Sequence, residues 1–384
     1  MTSRISIAKR LALALFGLGG IAGAASAGNT YNPVHILWVL KYPHSALAAG
    51  NVVTIAHRGV IGPGCPENSA CSIYKAYDNN VEAIELDVKE SSSGTPWLFH
   101  DQNAGRMLYN RGADFDIYSG KGWNPDIRTM SDMDIQNTGL KDHDFKVTDY
   151  RPLTAASALD IVKNNANHLV IVFDIKTATA VSRIADLVNQ RGMRDQVVLK
   201  FSSSLFARNP DDIVKYTKGV HFAPTVYTGD MDAIIRGGYG LAGGCIGANS
   251  HWCAIERWAD AASKLQNYAW LEVGNKEATA NDPTTFLLNY LKSQKRAIGA
   301  FNPVAEYRTN AGDGAYYIRS NGECCAKLSD YLSNSPFFGR ETNDDRWQVA
   351  NQLAAGFTSV ISDNPWGVNN AAVRAGRRNT KLYQ

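Results

Sequence analysis

Polar side chains cluster where buried segments end. His57-Arg58-Gly59 follows the apolar run "VVTIA", and Glu67 and Asn68 lie in the Gly/Pro loop just beyond it. In "AIELDV", Glu85 and Asp87 alternate with Ile84, Leu86 and Val88. In "VIVFDIK", Asp174 and Lys176 alternate with Ile171, Phe173 and Ile175. Successive strand residues point to opposite faces, so each charged pair shares one face. His100-Asp101 closes "PWLFHD". Three converging carboxylates repel one another and favour a hard divalent cation with oxygen ligands. A cation beside Arg58 and Lys176 makes a pocket for an anion, and a phosphate oxygen fits it. Two histidines flanking that anion supply a base and an acid. The chemistry expected is metal-assisted cleavage of a phosphate ester.

Each piece alone has a plainer reading. A strand-end histidine is commonly a structural group with a satisfied hydrogen bond. Glu85 and Asp87 are equally suited to pairing with barrel arginines or lysines. Asn68 is placed to cap the following helix. Asp101 is placed to hydrogen-bond a loop, and Asp174 to pair with Lys176 alone. The combination favours a site.

The elements that must position these residues are short apolar runs alternating with helical patterns: "VVTIAH", "AIELDV", "PWLFHD", "LVIVFDIK", "VVLKFS", "FAPTVYT", "AWLEV", "AIGAF" and "TSVISD". Such alternation predicts a parallel sheet covered by helices. Nine runs for eight places predict an α/β fold of the (β/α)8 TIM-barrel type with loop insertions, "AWLEV" being the surplus run. In that fold the C-terminal rim carries the chemistry. An open doubly wound sheet fits less well, because no GxGxxG follows the first strand. Loop-rich stretches at Asn103–Pro152 and Arg236–Trp252 are expected as insertions. Helices are expected after Asn68 or Ser69, from Thr154, after Thr177, and over "DDRWQVANQLAA" with Gly356 as its C-cap.

The first 27 residues have the pattern of an export signal: Arg4, Lys9 and Arg10, an apolar run, then Ala25-Ser26-Ala27. The run is too short to span a membrane comfortably. The expectation is a cleaved signal peptide at 1–27, one catalytic domain at 28–384, a secreted or periplasmic protein and no stable membrane anchor. Removing the three basic residues of that segment leaves 36 basic against 36 acidic residues, so net charge gives no support to nucleic-acid binding. Six cysteines in an exported chain favour disulfides. Cys65 and Cys71, and Cys245 and Cys253, are near enough to close small loops, whereas the adjacent Cys324 and Cys325 either form a vicinal bridge or stay reduced.

In "HRG", "PEN" (66–68), "IELDV", "HD", "FDIK" and "ISDNP" (361–365), in that order, the chain resembles the glycerophosphodiester phosphodiesterase family. The resemblance implies a TIM barrel that hydrolyses small-molecule glycerophosphodiesters to glycerol 3-phosphate and an alcohol. It implies His57 and His100 as the acid/base pair, Arg58 and Lys176 on the phosphate, and Glu85, Asp87 and Asp174 on Mg²⁺ or Ca²⁺. Glu67 would lie by the metal or orient Arg58. Asp174 departs from the glutamate frequent at its position. The long insertion containing "YNRGADFDIYSGKGW" is expected to shape the alcohol side. Two alternatives are a phospholipase D- or sphingomyelinase D-like enzyme acting on lipid phosphodiesters, and a non-catalytic binding module on the same fold.

Overall fold

The structure is a computed structural model that describes residues 31–384, apart from 241–243, 248, 278, 280, 305–306 and 309–314. Residues 1–27, expected as an export signal, lie outside the described residues. Eight strands form the barrel: β1 Val53–Ala56, β2 Ala83–Glu90, β3 Val170–Ile175, β4 Val197–Ser202, β5 His221–Val226, β6 Leu271–Val273, β7 Ile298–Asn302 and β8 Ser359–Ser362. Each pairs in parallel with the next, and β1 pairs with both β8 and β2, which closes the ring. This is the (β/α)8 TIM barrel expected from the alternating pattern.

The surplus run is "PWLFHD" and not "AWLEV". Pro96–Leu98 turns back antiparallel on the end of β2, pairing Val88 with Leu98 and Glu90 with Pro96. The turn closes through Ser91, whose N–H donates to the Thr95 carbonyl at 3.0 Å. Proline is tolerated there because it opens an edge strand. Leu271–Val273, only three residues long, is held as β6 by neighbours distant in sequence, Thr225 pairing with Glu272 and Leu271 with Ile298.

Outward-facing Ile84, Leu86, Val88, Ile171, Phe173 and Ile175 pack under the helix ring, in one cluster with residues of the helices Ala70–Asp78, Ala155–Asn165 and Ala178–Arg191. Inward-facing Val53, Ile55, Val170, Val172, Val198 and Trp270 form the barrel interior. The helix α1, Pro33–Lys41, closes its lower end with Ile36, Leu37, Val39 and Leu40, beside Tyr383 from the C-terminus. The lower half is filled mainly by hydrocarbon, and the charged inward residues of the strands β2, β3 and β4 gather at the C-terminal rim. Asp87, Asp174 and Lys200 are register partners across β2, β3 and β4, so they stand at one level there.

The insertion after His100 carries its own small core of Ala104, Met107, Leu108, Ile127, Met130, Ile135 and Leu140, packed on Trp97 and Phe99. Cys65–Cys71 and Cys245–Cys253 are disulfides, and Cys324 and Cys325 are bridged as a vicinal pair. Among the described residues no helix is long and apolar enough to cross a membrane. The late helix is shorter than its pattern suggested, Val349–Ala355, and it ends at Gly356 with φ +99°.

Candidate active site

The loop after β1 is bent by its backbone. Arg58 and Asn68 adopt φ of +57° and +52°. Between them Gly59 is required: its φ is +81°, and an added Cβ would stand 2.5 Å from the Ser72 hydroxyl and 2.9 Å from the Ser72 carbonyl. The helix Ala70–Asp78 is capped by Ser69 in a capping box with Ser72. That leaves the Asn68 side chain for Asp87, to whose carboxylate it donates at 3.2 Å while accepting from the Asp87 N–H at 3.0 Å. The Cys65–Cys71 bridge spans this loop and the first turn of the helix.

Each histidine is held from Nδ1 by an aspartate: His57 by Asp363 at 2.7 Å and His100 by Asp101 at 2.8 Å. A carboxylate only accepts, so each Nδ1 carries the proton and each Nε2 is left to the cleft. The two rings lie 6.4 Å apart, centroid to centroid, and near perpendicular. His57 is buried, with Phe301 against its ring at 4.9 Å. Burial pushes the His57 pKa down, but the carboxylates of Asp363 and Glu85 more than offset this, and the net direction is upward.

Beneath the histidines the charges interlock. Arg58 donates to Glu67 at 3.0 Å, and its Nε stands 3.4 Å from Asp87. Arg106, from the insertion, takes Glu67 and Asp101 together, with Nη2 at 2.6 Å from Glu67 and Nε at 2.5 Å from Asp101. Burial opposes ionisation of Asp101, yet Arg106 and His100 hold its pKa well below the usual carboxylate range. Asp87 is held low in the same way by His100, Arg58 and Lys176, against its burial. Glu85 goes the other way: burial, with Asp87 and Asp174 nearby, raises it to about 7 despite Lys200 and His57. Lys176 pairs with Asp174 at 2.8 Å, with its side chain 43% exposed towards the cleft.

Among the described residues, one group could hold a metal ion. His57, Glu85 and Asp87 are all buried, and each offers one ligand atom within 4.8 Å of the others. Two buried carboxylates, one of them raised in pKa chiefly by its burial, are a suitable donor set for a divalent ion. Asp174 stands outside that group, between Lys176 and Lys200.

Above this floor the cleft has a volume of about 850 Å³. Its apolar wall is built from Leu205, Phe301, Val304, Ile318, Leu328 and Tyr331. Most of that wall comes from the β7–β8 connection. The insertion after His100, expected to shape the alcohol side, contributes none of the cleft-lining residues; its contribution is Arg106, which fastens the floor. Four participants escaped the sequence reading. Arg106 gave no local signal. Lys200 and Glu272 did, as lone charges within buried runs. Asp363 stood in "ISDNP", without a role until β8 was seen beside β1.

A model of the Glycerophosphoryl diester phosphodiesterase family matches residues 57–214. No curated protein matches the chain by sequence. Among solved structures, a glycerophosphoryl diester phosphodiesterase from Parabacteroides distasonis is similar, with a TM-score of 0.54 and 16% identity over 90% of this chain and 92% of that one. A candidate glycerophosphoryl diester phosphodiesterase from Silicibacter pomeroyi aligns with a TM-score of 0.57 and 13% identity, over 90% and 99% of the two chains. At such identities these structures speak for the fold.

Proposed function

We propose, on the match of residues 57–214 to the glycerophosphoryl diester phosphodiesterase family, that the chain is a phosphodiesterase of that family and hydrolyses a glycerophosphodiester to glycerol 3-phosphate and the free alcohol, with His57 and His100 as base and acid. The observation that carries this reading is the pair of aspartate-held imidazoles facing one cleft over a carboxylate floor. One imidazole takes a proton from water as its oxygen bonds to phosphorus. The other gives a proton to the leaving oxygen as its bond to phosphorus breaks. Lys176 and Arg58 are read as the groups that hold the phosphate oxygens, Lys176 by reaching into the cleft and Arg58 from the β1 loop. Glu67, Asn68 and Asp101 support them: Glu67 fixes Arg58, Asn68 fixes Asp87 and Asp101 fixes His100. Glu85 and Asp87, with Asp174 adjoining, are the carboxylates that would hold Mg²⁺ or Ca²⁺, an ion whose contribution when bound is to draw charge from the phosphate oxygens.

The apolar wall favours a second reading of the substrate, a monoacyl lipid phosphodiester whose chain lies along Leu205, Ile318, Leu328 and Tyr331. The cleft volume is near the top of the range of about 300–1,000 Å³ that holds drug-sized ligands, and a glycerophosphodiester of a small alcohol is far smaller. Turnover of glycerophosphocholine and of lysophosphatidylcholine, with products identified by phosphorus NMR and with chelator present or absent, tests both readings. Release of glycerol 3-phosphate from the first supports the main reading. Turnover of the second alone supports the lipid reading. Turnover of neither sinks both.

A further inference from the structure

Lys200 occupies an unusual position for an ammonium. It lies on β4, in register with Asp174, and is 4% exposed. Its Nζ stands 3.1 Å from Glu85 Oε1, 3.2 Å from Asp174 Oδ2 and 3.5 Å from Glu272 Oε2. Its ammonium is thus ion-paired with three carboxylates at once, the arrangement a bound cation would take. Glu272 is fixed from its other oxygen by the Tyr227 hydroxyl at 3.0 Å. Asp174 has its second oxygen on Lys176, so both of its oxygens face lysine ammoniums. Glu85 is shared differently: Oε1 turns inward to Lys200, while Oε2 turns outward to the Arg58 N–H at 3.4 Å and His57 Nε2 at 4.0 Å.

We propose that Lys200 is a positioning residue acting as a built-in cation that divides the carboxylates of the rim into two sets. The inner set, Asp174 and Glu272, is neutralised by the chain itself. The outer set, Glu85 Oε2 and Asp87, is left for a divalent ion beside His57. Asp174 therefore belongs to the lysines and not to the metal. The aspartate is one methylene shorter than a glutamate, and across β3 and β4 its carboxylate is in register with Lys200. A fixed ammonium behind Glu85 also repels the incoming ion, so metal binding is weaker than the number of carboxylates would suggest. The inference rests on the reading of Glu85 and Asp87 as a cation site.

Calorimetric titration of Mg²⁺ and Ca²⁺ into the chain and its variants tests this without reference to turnover. Asp174→Asn is expected to weaken Kd by less than about tenfold, the effect of one lost charge and not of a lost ligand, because Asp174 is not a ligand while Lys200 is present. Lys200→Met frees the inner carboxylates, and Kd is expected to tighten at least tenfold. Asp174→Asn added to Lys200→Met should reverse most of that gain. A tenfold loss of affinity in Asp174→Asn alone overturns the division, as does a folded Lys200→Met with unchanged or weaker binding. Should Lys200→Met fail to fold, the single Asp174→Asn comparison decides. Absence of binding to the parent chain would overturn the cation site itself, and this inference with it.

Discussion

Asp363 and Asp101 reach the cleft from different parts of the chain and serve two histidines in the same way. Each fixes the proton on Nδ1 and so presents Nε2 to substrate. His57→Ala and His100→Ala are each expected to lower kcat by at least ~100-fold, the usual worth of a general acid or base. Asp363→Asn tests positioning separately. An amide can donate to Nδ1 and turn the imidazole to its other tautomer, so kcat should fall at least tenfold with KM changed much less. Steady-state kinetics on the three variants, with circular dichroism to confirm folding, checks both statements. Near-normal kcat in Asp363→Asn would reduce Asp363 to a packing role.

The β1 loop shows how an element converts local chemistry into site geometry. Its left-handed Arg58 and Asn68, its indispensable Gly59 and its disulfide all constrain the same short stretch. The loop closed by Cys65–Cys71 is short, so the entropy removed from the unfolded chain is at the low end for disulfides, about 2 kcal/mol. In a chain of this size that is a shift of a few degrees in Tm. The loop carries Arg58, Glu67 and Asn68, and the expected cost falls on activity. The Cys65→Ser/Cys71→Ser variant should lose at least tenfold in kcat/KM with Tm lowered by only a few degrees. A large fall in Tm with kinetics intact would show that the bridge serves the fold and not the site.

Far below the rim, His168 links the base of the barrel to the helix Ala70–Asp78 and to the N-terminal segment. It is 2% exposed, stacks on Tyr77 at 4.5 Å and meets Tyr31 edge-on. Burial pushes its pKa down to about 4, despite a hydrogen bond with the Val81 backbone. The unfolded chain, near 6.5, therefore binds this proton more readily than the folded one. Stability is unaffected above pH 6.5, falls as pH drops from 6.5 towards 4 and levels off below that. The span corresponds to at most about 3 kcal/mol. Thermal melts of the parent and His168→Phe between pH 7.5 and about 4 should diverge in that window, the variant losing less. Parallel curves would remove His168 from the acid response.

Alternation is a local property, and that is why the pairs Glu85/Asp87 and Asp174/Lys176 were readable before any fold was known. A period of two fixes which side chains share a face, whatever the strand's neighbours are. The same locality explains the choice of barrel type, since repeated strand–helix units admit few closed arrangements. Tertiary structure decided what the patterns left open. Whether "PWL" or "AWLEV" joins the ring depends on pairing with segments far away in sequence, and three residues carry no local mark of it. Lys200 is an ordinary lysine in "VVLKFS" until β4 is set beside β3, and only then do Glu85, Asp174 and Glu272 surround it. Arg106 and Asp363 gained their partners through contacts across the fold, with Glu67 39 positions from Arg106 and His57 306 positions from Asp363. Charges at a barrel rim are assigned by their neighbours around the ring, and barrel closure supplies those neighbours.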